Sequence, residues 1–252
     1  MNLSRMGLTL VVLLAGRLAS AYSLDIPSNA EILKSLSGKL AGQSGDYLIR
    51  HVQRMGNKTI EMETMIATDG DPKLANAILT DFAHYRNWML QGLNHRPAGG
   101  EYLLKIRDFA IKPGDPSVLV ANVTFDLPLF KIDLLYAIKV GTKKENDGLT
   151  ITAEALPQPA NSGLGESPIK STEAFAKIFP APKHRDVVWI YLKGRTVLNN
   201  WLLYEALPDK VLERETGDRL QIIVDNYHRE ESQKKPDSEA PAVARSSATN
   251  EK

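Results

Sequence analysis

From Lys58 to Thr68 the side chains alternate, with Ile60, Met62, Thr64 and Ile66 on one side and Glu61, Glu63 and Met65 on the other. A period of two predicts a strand with one wet face. The period then changes. Asp71 is a natural helix cap, and Pro72 suits the first helical position, where a missing N–H costs nothing. Leu74, Ile78, Phe82, Tyr85 and Met89 follow at intervals of three or four. One helix with one apolar face is expected there, carrying Asp81 and His84 on its flank.

Upstream, Ser28 and Glu31 have the spacing of a capping box, and Ile32, Leu33, Leu36 and Leu40 recur at helical intervals. The segment DYLIRHVQRM fits a helix or a strand. Downstream, EYLLKIRDFAI, SVLVANVTFDL, KIDLLYAIKVG and GLTITAEAL read as strands joined by short turns, so an antiparallel meander is expected. The third of these puts Ile132, Leu134, Tyr136, Ile138 and Val140 on one face, and Asn146, Asp147 and Gly148 supply the turn after it. Pro157 to Arg185 breaks the rhythm with prolines and glycines around one helical candidate, STEAFAKIF. It reads as a long connection, either a functional loop or a surface insertion. DVVWIYLK and TVLNNWLLYEAL are expected to form a hairpin turning at Gly194 and Arg195. After Pro208, Leu212, Thr216, Leu220, Ile223 and Tyr227 mark the apolar face of a long helix.

The ends differ from this middle. Arg5, the apolar run Met6 to Gly16 and the small residues Ala19 to Ala21 have the layout of a secretory signal peptide, with Tyr22 as the mature start. The alternative is an uncleaved anchor, although the run is far short of the roughly 20 residues that span a bilayer. Export to the periplasm or the medium is expected. After Glu231 few large apolar residues remain, and the tail is expected to be disordered. The organisation read from the chain is a signal peptide over 1–21, an N-terminal helical extension over 22–57, one domain over 58–230 and a disordered tail over 231–252.

Composition narrows the chemistry. Lys and Arg total 31 against 30 Asp and Glu, a balance that argues against a nucleic-acid partner. The chain has no cysteine. Disulfides, thiolate catalysis and lipid attachment at a cysteine are therefore excluded. No GxSxG, HExxH or GxxxxGK[ST] occurs, and GLGESP lacks the strand-to-helix setting of a phosphate loop.

The order of strand, helical segment, antiparallel strands and long C-terminal helix resembles the START-like superfamily, in particular its polyketide cyclase/dehydrase branch. Three stretches carry the likeness: ATDGDPKLANAILTDFAHYRNWM, GRTVLNNWLLYEALPDKVLE and GDRLQIIVDNYHRE. The resemblance covers about Lys58 to Glu230. It implies an α+β helix-grip fold, a curved antiparallel β-sheet wrapped around a long C-terminal helix, with a cavity between them for lipids, sterols, polyketides or aromatic compounds. A few members are enzymes, and no invariant catalytic residue carries over to this chain.

The expected function is therefore binding of a lipid or other hydrophobic small molecule, without a cofactor or metal and compatible with transient membrane contact. A cyclase- or hydrolase-type enzyme and an interaction module with a filled core are the alternatives. Trp88, Arg107, Tyr136, Trp189, Tyr191, Asn200 and Trp201 are the candidate pocket residues, because aromatic bodies with polar tips suit an amphipathic ligand. Asp81, His84 and Arg107 are the candidates for acid–base chemistry. For Asp81 and His84 the reading favoured is a solvated helix flank, with Tyr85 and Trp88 packing inward.

Overall fold

The computed structural model describes residues 24–40, 47–94, 104–127, 130–145, 148–156, 169–181, 184–199, 204–205 and 209–234. The chain opens with α1 (Asn29–Leu40). Its capping box forms as spaced: the Ser28 N–H donates to Glu31 Oε2 at 2.7 Å, and the Glu31 N–H donates to Ser28 Oγ at 3.3 Å. Strands β1 (Tyr47–Met55) and β2 (Thr59–Asp69) form a hairpin. The extension expected to be helical over 22–57 thus contributes an edge strand as well as a helix.

Asp71 caps α2 (Pro72–Thr80), its side chain accepting from the Lys73 N–H at 2.8 Å. The single helix expected through Met89 breaks at Asp81, whose ψ of 63° leaves the helical region. A 3₁₀ turn (Phe82–His84) and the short α3 (Tyr85–Trp88) follow. The chain then crosses to the far edge of the sheet and returns as a meander: β3 (Leu104–Lys112), β4 (Asp115–Leu127), β5 (Phe130–Glu145), β6 (Gly148–Leu156), β7 (Ile169–Ala181) and β8 (His184–Leu198). The eight strands are ordered β1-β2-β8-β7-β6-β5-β4-β3, every neighbouring pair antiparallel.

Two expectations for this half of the chain are corrected. STEAFAKIF is not helical but lies within β7, where both faces are covered. The connection expected over 157–185 shrinks accordingly, and residues 157–168 lie outside the described set. Gly194 and Arg195 make no turn: they sit inside β8, opposite Ala174 and Glu173 of β7. The partner strand expected around Trp201 is therefore not the one that β8 uses.

Helix α4 (Asp209–Lys234) lies across the concave face and takes in the first four residues of the tail expected over 231–252. Leu212, Leu220, Ile223, Val224 and Tyr227 bury its apolar side in the main core, beside Met62 and Ile66 of β2, Leu119 and Val123 of β4 and Ile138 of β5. A second, smaller core lies on the other face of the sheet. There α1 lays Ile32 over Met65, Phe175, Phe179 and Tyr191, with Leu24, Leu33 and Trp189 at its margin. The face of β2 read as wet is thus partly covered.

On that same outer face, between Phe175 and Phe179 of β7, the buried Lys177 extends its ammonium to Glu145 Oε2 at 2.9 Å. The hydrogen bond from Lys177 holds the Glu145 carboxyl below its ordinary value of 4.5; burial opposes this and Thr150 adds to it. A depressed folded-state pKa means stability that is present above the ordinary value and lost as pH falls through the folded one. Glu145→Gln removes that component and leaves a buried ammonium unpaired. The full cost of such a loss is about 3–5 kcal/mol, reduced here to about 1–3 because Glu145 is partly solvated. Urea unfolding between pH 3 and pH 7 checks both parts: the variant is expected to be weaker at pH 7 and its stability to change less as pH falls.

Candidate functional site

The concave face does not close fully on α4. A cavity of about 120 Å³ remains between the sheet, the segment 72–94 and α4. Alternation along the strands sets its floor. Ile138 and Val140 reach it from β5, Ile151 and Ala153 from β6, Ala176 and Ile178 from β7, and Ile190 and Leu192 from β8. A register shift between Ile106 and Asp108 of β3 turns Phe109 inward to join them. Leu79, Phe82, Tyr85, Trp88 and Met89 form the roof, and Leu220, Ile223, Val224 and Tyr227 of α4 form one wall. The lining surface is almost wholly carbon, and no charged side chain among the described residues lines it.

The roof is an aromatic cluster. Tyr85 meets Phe82 edge-on at 5.2 Å and Trp88 at 5.4 Å, and stacks on Phe109 at 6.0 Å between ring centres. The break at Asp81 lets Tyr85 fold back and donate its hydroxyl to the Leu79 carbonyl. Burial pushes the Tyr85 phenol far above its ordinary range, so it is neutral at every working pH.

Ties at both ends hold the roof to α4. Asn226 Nδ2 donates to the Gln91 carbonyl at 2.8 Å and to that of Met89 at 3.4 Å. Lys234 Nζ approaches Asp81 Oδ2 at 3.4 Å, while Asp81 Oδ1 lies 2.7 Å from His84 Nδ1. Burial alone would raise the Asp81 carboxyl, but the bonds to His84 and Lys234 hold it below its usual range.

Of the five candidate pocket residues that the structure describes, Trp88 alone lines this cavity. Tyr136 is buried in the main core, on the inner face of β5 two residues before Ile138, and does not reach the cavity. Trp189 and Tyr191 share a face as expected, but it is the outer one, against α1, where Tyr191 donates to Glu63 Oε1 at 2.7 Å. Arg107 is exposed and its Nε lies 3.4 Å from Thr124 Oγ1. Asn200 and Trp201 lie outside the described residues. Asp81, His84 and Arg107 all stand away from the cavity, which removes them as acid–base candidates there. Tyr85 and Trp88 pack inward as expected.

One polar group at the cavity went unread in the sequence. Thr68, near the end of β2, lines the cavity, and its Oγ1 lies 2.7 Å from Nε2 of His228 on α4. His228 Nδ1 lies 3.6 Å from Oε2 of the buried Glu231, whose Oε1 accepts from the Asp71 N–H at 3.2 Å. Gly70 makes this junction possible, since a Cβ there would sit 2.7 Å from the Tyr227 hydroxyl oxygen.

No family model matches the chain, and no curated protein matches it. Similar solved structures include a STAR-related lipid transfer protein from Xanthomonas axonopodis, 13% identical, with a TM-score of 0.48 over 73% of this chain and 99% of that one. Human STARD10 is 11% identical, with a TM-score of 0.48 over 84% of each chain. The Zhui aromatase/cyclase from Streptomyces sp. R1128 is 11% identical, with a TM-score of 0.41 over 68% of this chain and 94% of that one. The eight-stranded antiparallel sheet with a long C-terminal helix across it is the α+β helix-grip arrangement expected from the sequence.

Proposed function

We propose that this protein binds a hydrophobic small molecule, a lipid or part of one, in the cavity under α4, and that it does so after export from the cytoplasm. The observation that carries this reading is the carbon-lined cavity itself. An apolar guest there loses contact with water, at about 25 cal/mol per Å² of apolar surface removed. No buried ion has to be neutralised. The volume is close to that of engineered cavities of about 150 Å³ that stay dry and take up benzene. One ring or a short stretch of acyl chain fits as the walls stand. A larger guest requires the segment 72–94 to move outward, which means parting the contacts of Asn226 and Lys234.

Toluene followed by ligand-observed NMR is a direct test, with Ala176→Phe as the blocking variant. Ala176 is a small side chain in the cavity floor, and a phenyl group there occupies the space a guest would use. Toluene binding to the natural chain and at least tenfold weaker binding to the variant, whose circular dichroism stays unchanged, is the expected result. Equal binding by both folded proteins would place the guest elsewhere. Native mass spectrometry of protein taken from its own cells would identify the natural guest, and an N-terminus at Tyr22 in the same spectrum would support export.

A further inference from the structure

We propose that Thr68, His228 and Glu231 form a nucleophilic relay at the edge of the cavity, able to hydrolyse an uncharged carboxylic ester whose acyl chain lies inside it. This rests on the hydrophobic-binding reading and adds chemistry to it. Three features support it. Thr68 supplies the one aliphatic hydroxyl among the described cavity-lining residues. That hydroxyl meets Nε2 of His228 at 2.7 Å, while the other ring nitrogen faces the Glu231 carboxylate at 3.6 Å. A carboxylate beside Nδ1 favours the tautomer with its proton there, which leaves the Nε2 lone pair for the hydroxyl proton. The 3.6 Å separation is loose, as such bonds often are before substrate binds.

The third feature is Tyr227. Its hydroxyl is buried with no hydrogen-bond partner among the described residues, and it sits against Gly70, just past the end of β2 and two positions beyond Thr68. Tyr227 and Thr68 line the same cavity, and we assign this O–H as the donor to the carbonyl oxygen as it gains charge. The raised Tyr227 phenol, pushed up first by burial and then by Glu231 and Asp71, keeps that proton.

The steps balance without any further reactant except water. Thr68 Oγ1 bonds to the ester carbonyl carbon and its proton passes to His228 Nε2. The bond from that carbon to the alkoxy oxygen breaks, and His228 returns the proton to the departing alcohol. Water then attacks the acyl–Thr68 ester, gives a proton to His228, and the carboxylic acid leaves as Thr68 recovers its hydroxyl. A cluster that merely fastens α4 to β2 would make the same hydrogen bonds but would never carry an acyl group.

The test uses the full chain with p-nitrophenyl esters of increasing acyl length, and toluene binding is measured on the same samples. Expected are turnover that peaks near an acyl chain of about six carbons, set by a cavity near benzene size, and a transient acyl adduct on the peptide containing Thr68. His228→Gln is expected to lower kcat by at least about 100-fold, the lower end for a general base. Thr68→Ser is expected to retain turnover, and Thr68→Val to lose the adduct. Natural protein that binds toluene but gains no acyl group on Thr68 overturns the relay and leaves the binding reading intact. Turnover unchanged in a toluene-binding His228→Gln protein overturns it as well. Protein that binds no toluene and gains no adduct overturns both.

Discussion

Trp88→Ala is expected to cost about 3–5 kcal/mol of folding stability, the range for deleting a large buried aromatic side chain. Trp88 is 4% exposed, stands edge-on to Tyr85 and roofs the cavity. Its removal therefore adds new void to a space that is already open. The loss is one of packing, because Nε1 is buried without a hydrogen-bond partner among the described residues. Trp88→Phe separates the two contributions. It keeps much of the ring and removes a buried N–H that has no partner among the described residues, which by itself is favourable, so its cost is expected to be well under half that of alanine. Urea unfolding of the three proteins measures this. Saturating toluene should restore more stability to Trp88→Ala than to the natural chain, since the enlarged void gains a guest. A loss below about 1 kcal/mol in Trp88→Ala would mean that the segment 72–94 collapses into the gap, at odds with a roof held by its ties to α4.

The roof also shows what could and could not be read in advance. Local devices were legible because each is a short-range pairing: Ser28 with Glu31, Asp71 with Lys73, and the alternation from Ile60 to Ile66. The apolar face of α4 was legible for the same reason. The failures arise where two surfaces are buried at once. Phe175, Ile178 and Phe179 have helical spacing, yet in β7 Ile178 faces the cavity while both phenylalanines face α1. A strand covered on both sides reads as a continuous apolar run, and a run cannot be told from a helix by its period. Parity put Trp189 and Tyr191 together, but it could not say which side of β8 met α4. That depended on α1, whose Ile32 claims the outer face. Gly194 looked like a turn, although it lies mid-sheet opposite both Met62 and Ala174. The contact of Thr68 with His228 joins residues 160 positions apart, so no spacing rule could have reported it.

Gly148→Ala is the second large effect, and its reason was hidden behind a correct signal. The turn chemistry of Asn146, Asp147 and Gly148 marks the end of the β5–β6 hairpin, and Gly148 is indeed where β6 begins, paired with Glu145. The demand for glycine comes from β7. A Cβ at this position would lie 2.3 Å from the Ile178 carbonyl oxygen and 3.0 Å from Phe179 Cβ. A flexible side chain could swing away from such a clash, but a strand carbonyl cannot without breaking its own ladder. Overpacking typically costs about 1–3 kcal/mol, and the upper end is expected here because the obstacle is backbone. The consequence for function is specific. Ile178 is part of the cavity floor and Phe179 part of the core under α1, so displacing this corner disturbs both faces of the sheet at once. Gly148→Ala is expected to weaken toluene binding as well as stability, whereas Gly141→Ala, whose Cβ would meet only the Thr152 hydroxyl at 2.8 Å on an exposed face, should change stability by less than about 1 kcal/mol. Unfolding curves for the pair decide the point: a loss at Gly148 no larger than that at Gly141 would show that β7 yields to the added methyl, against a rigid close approach.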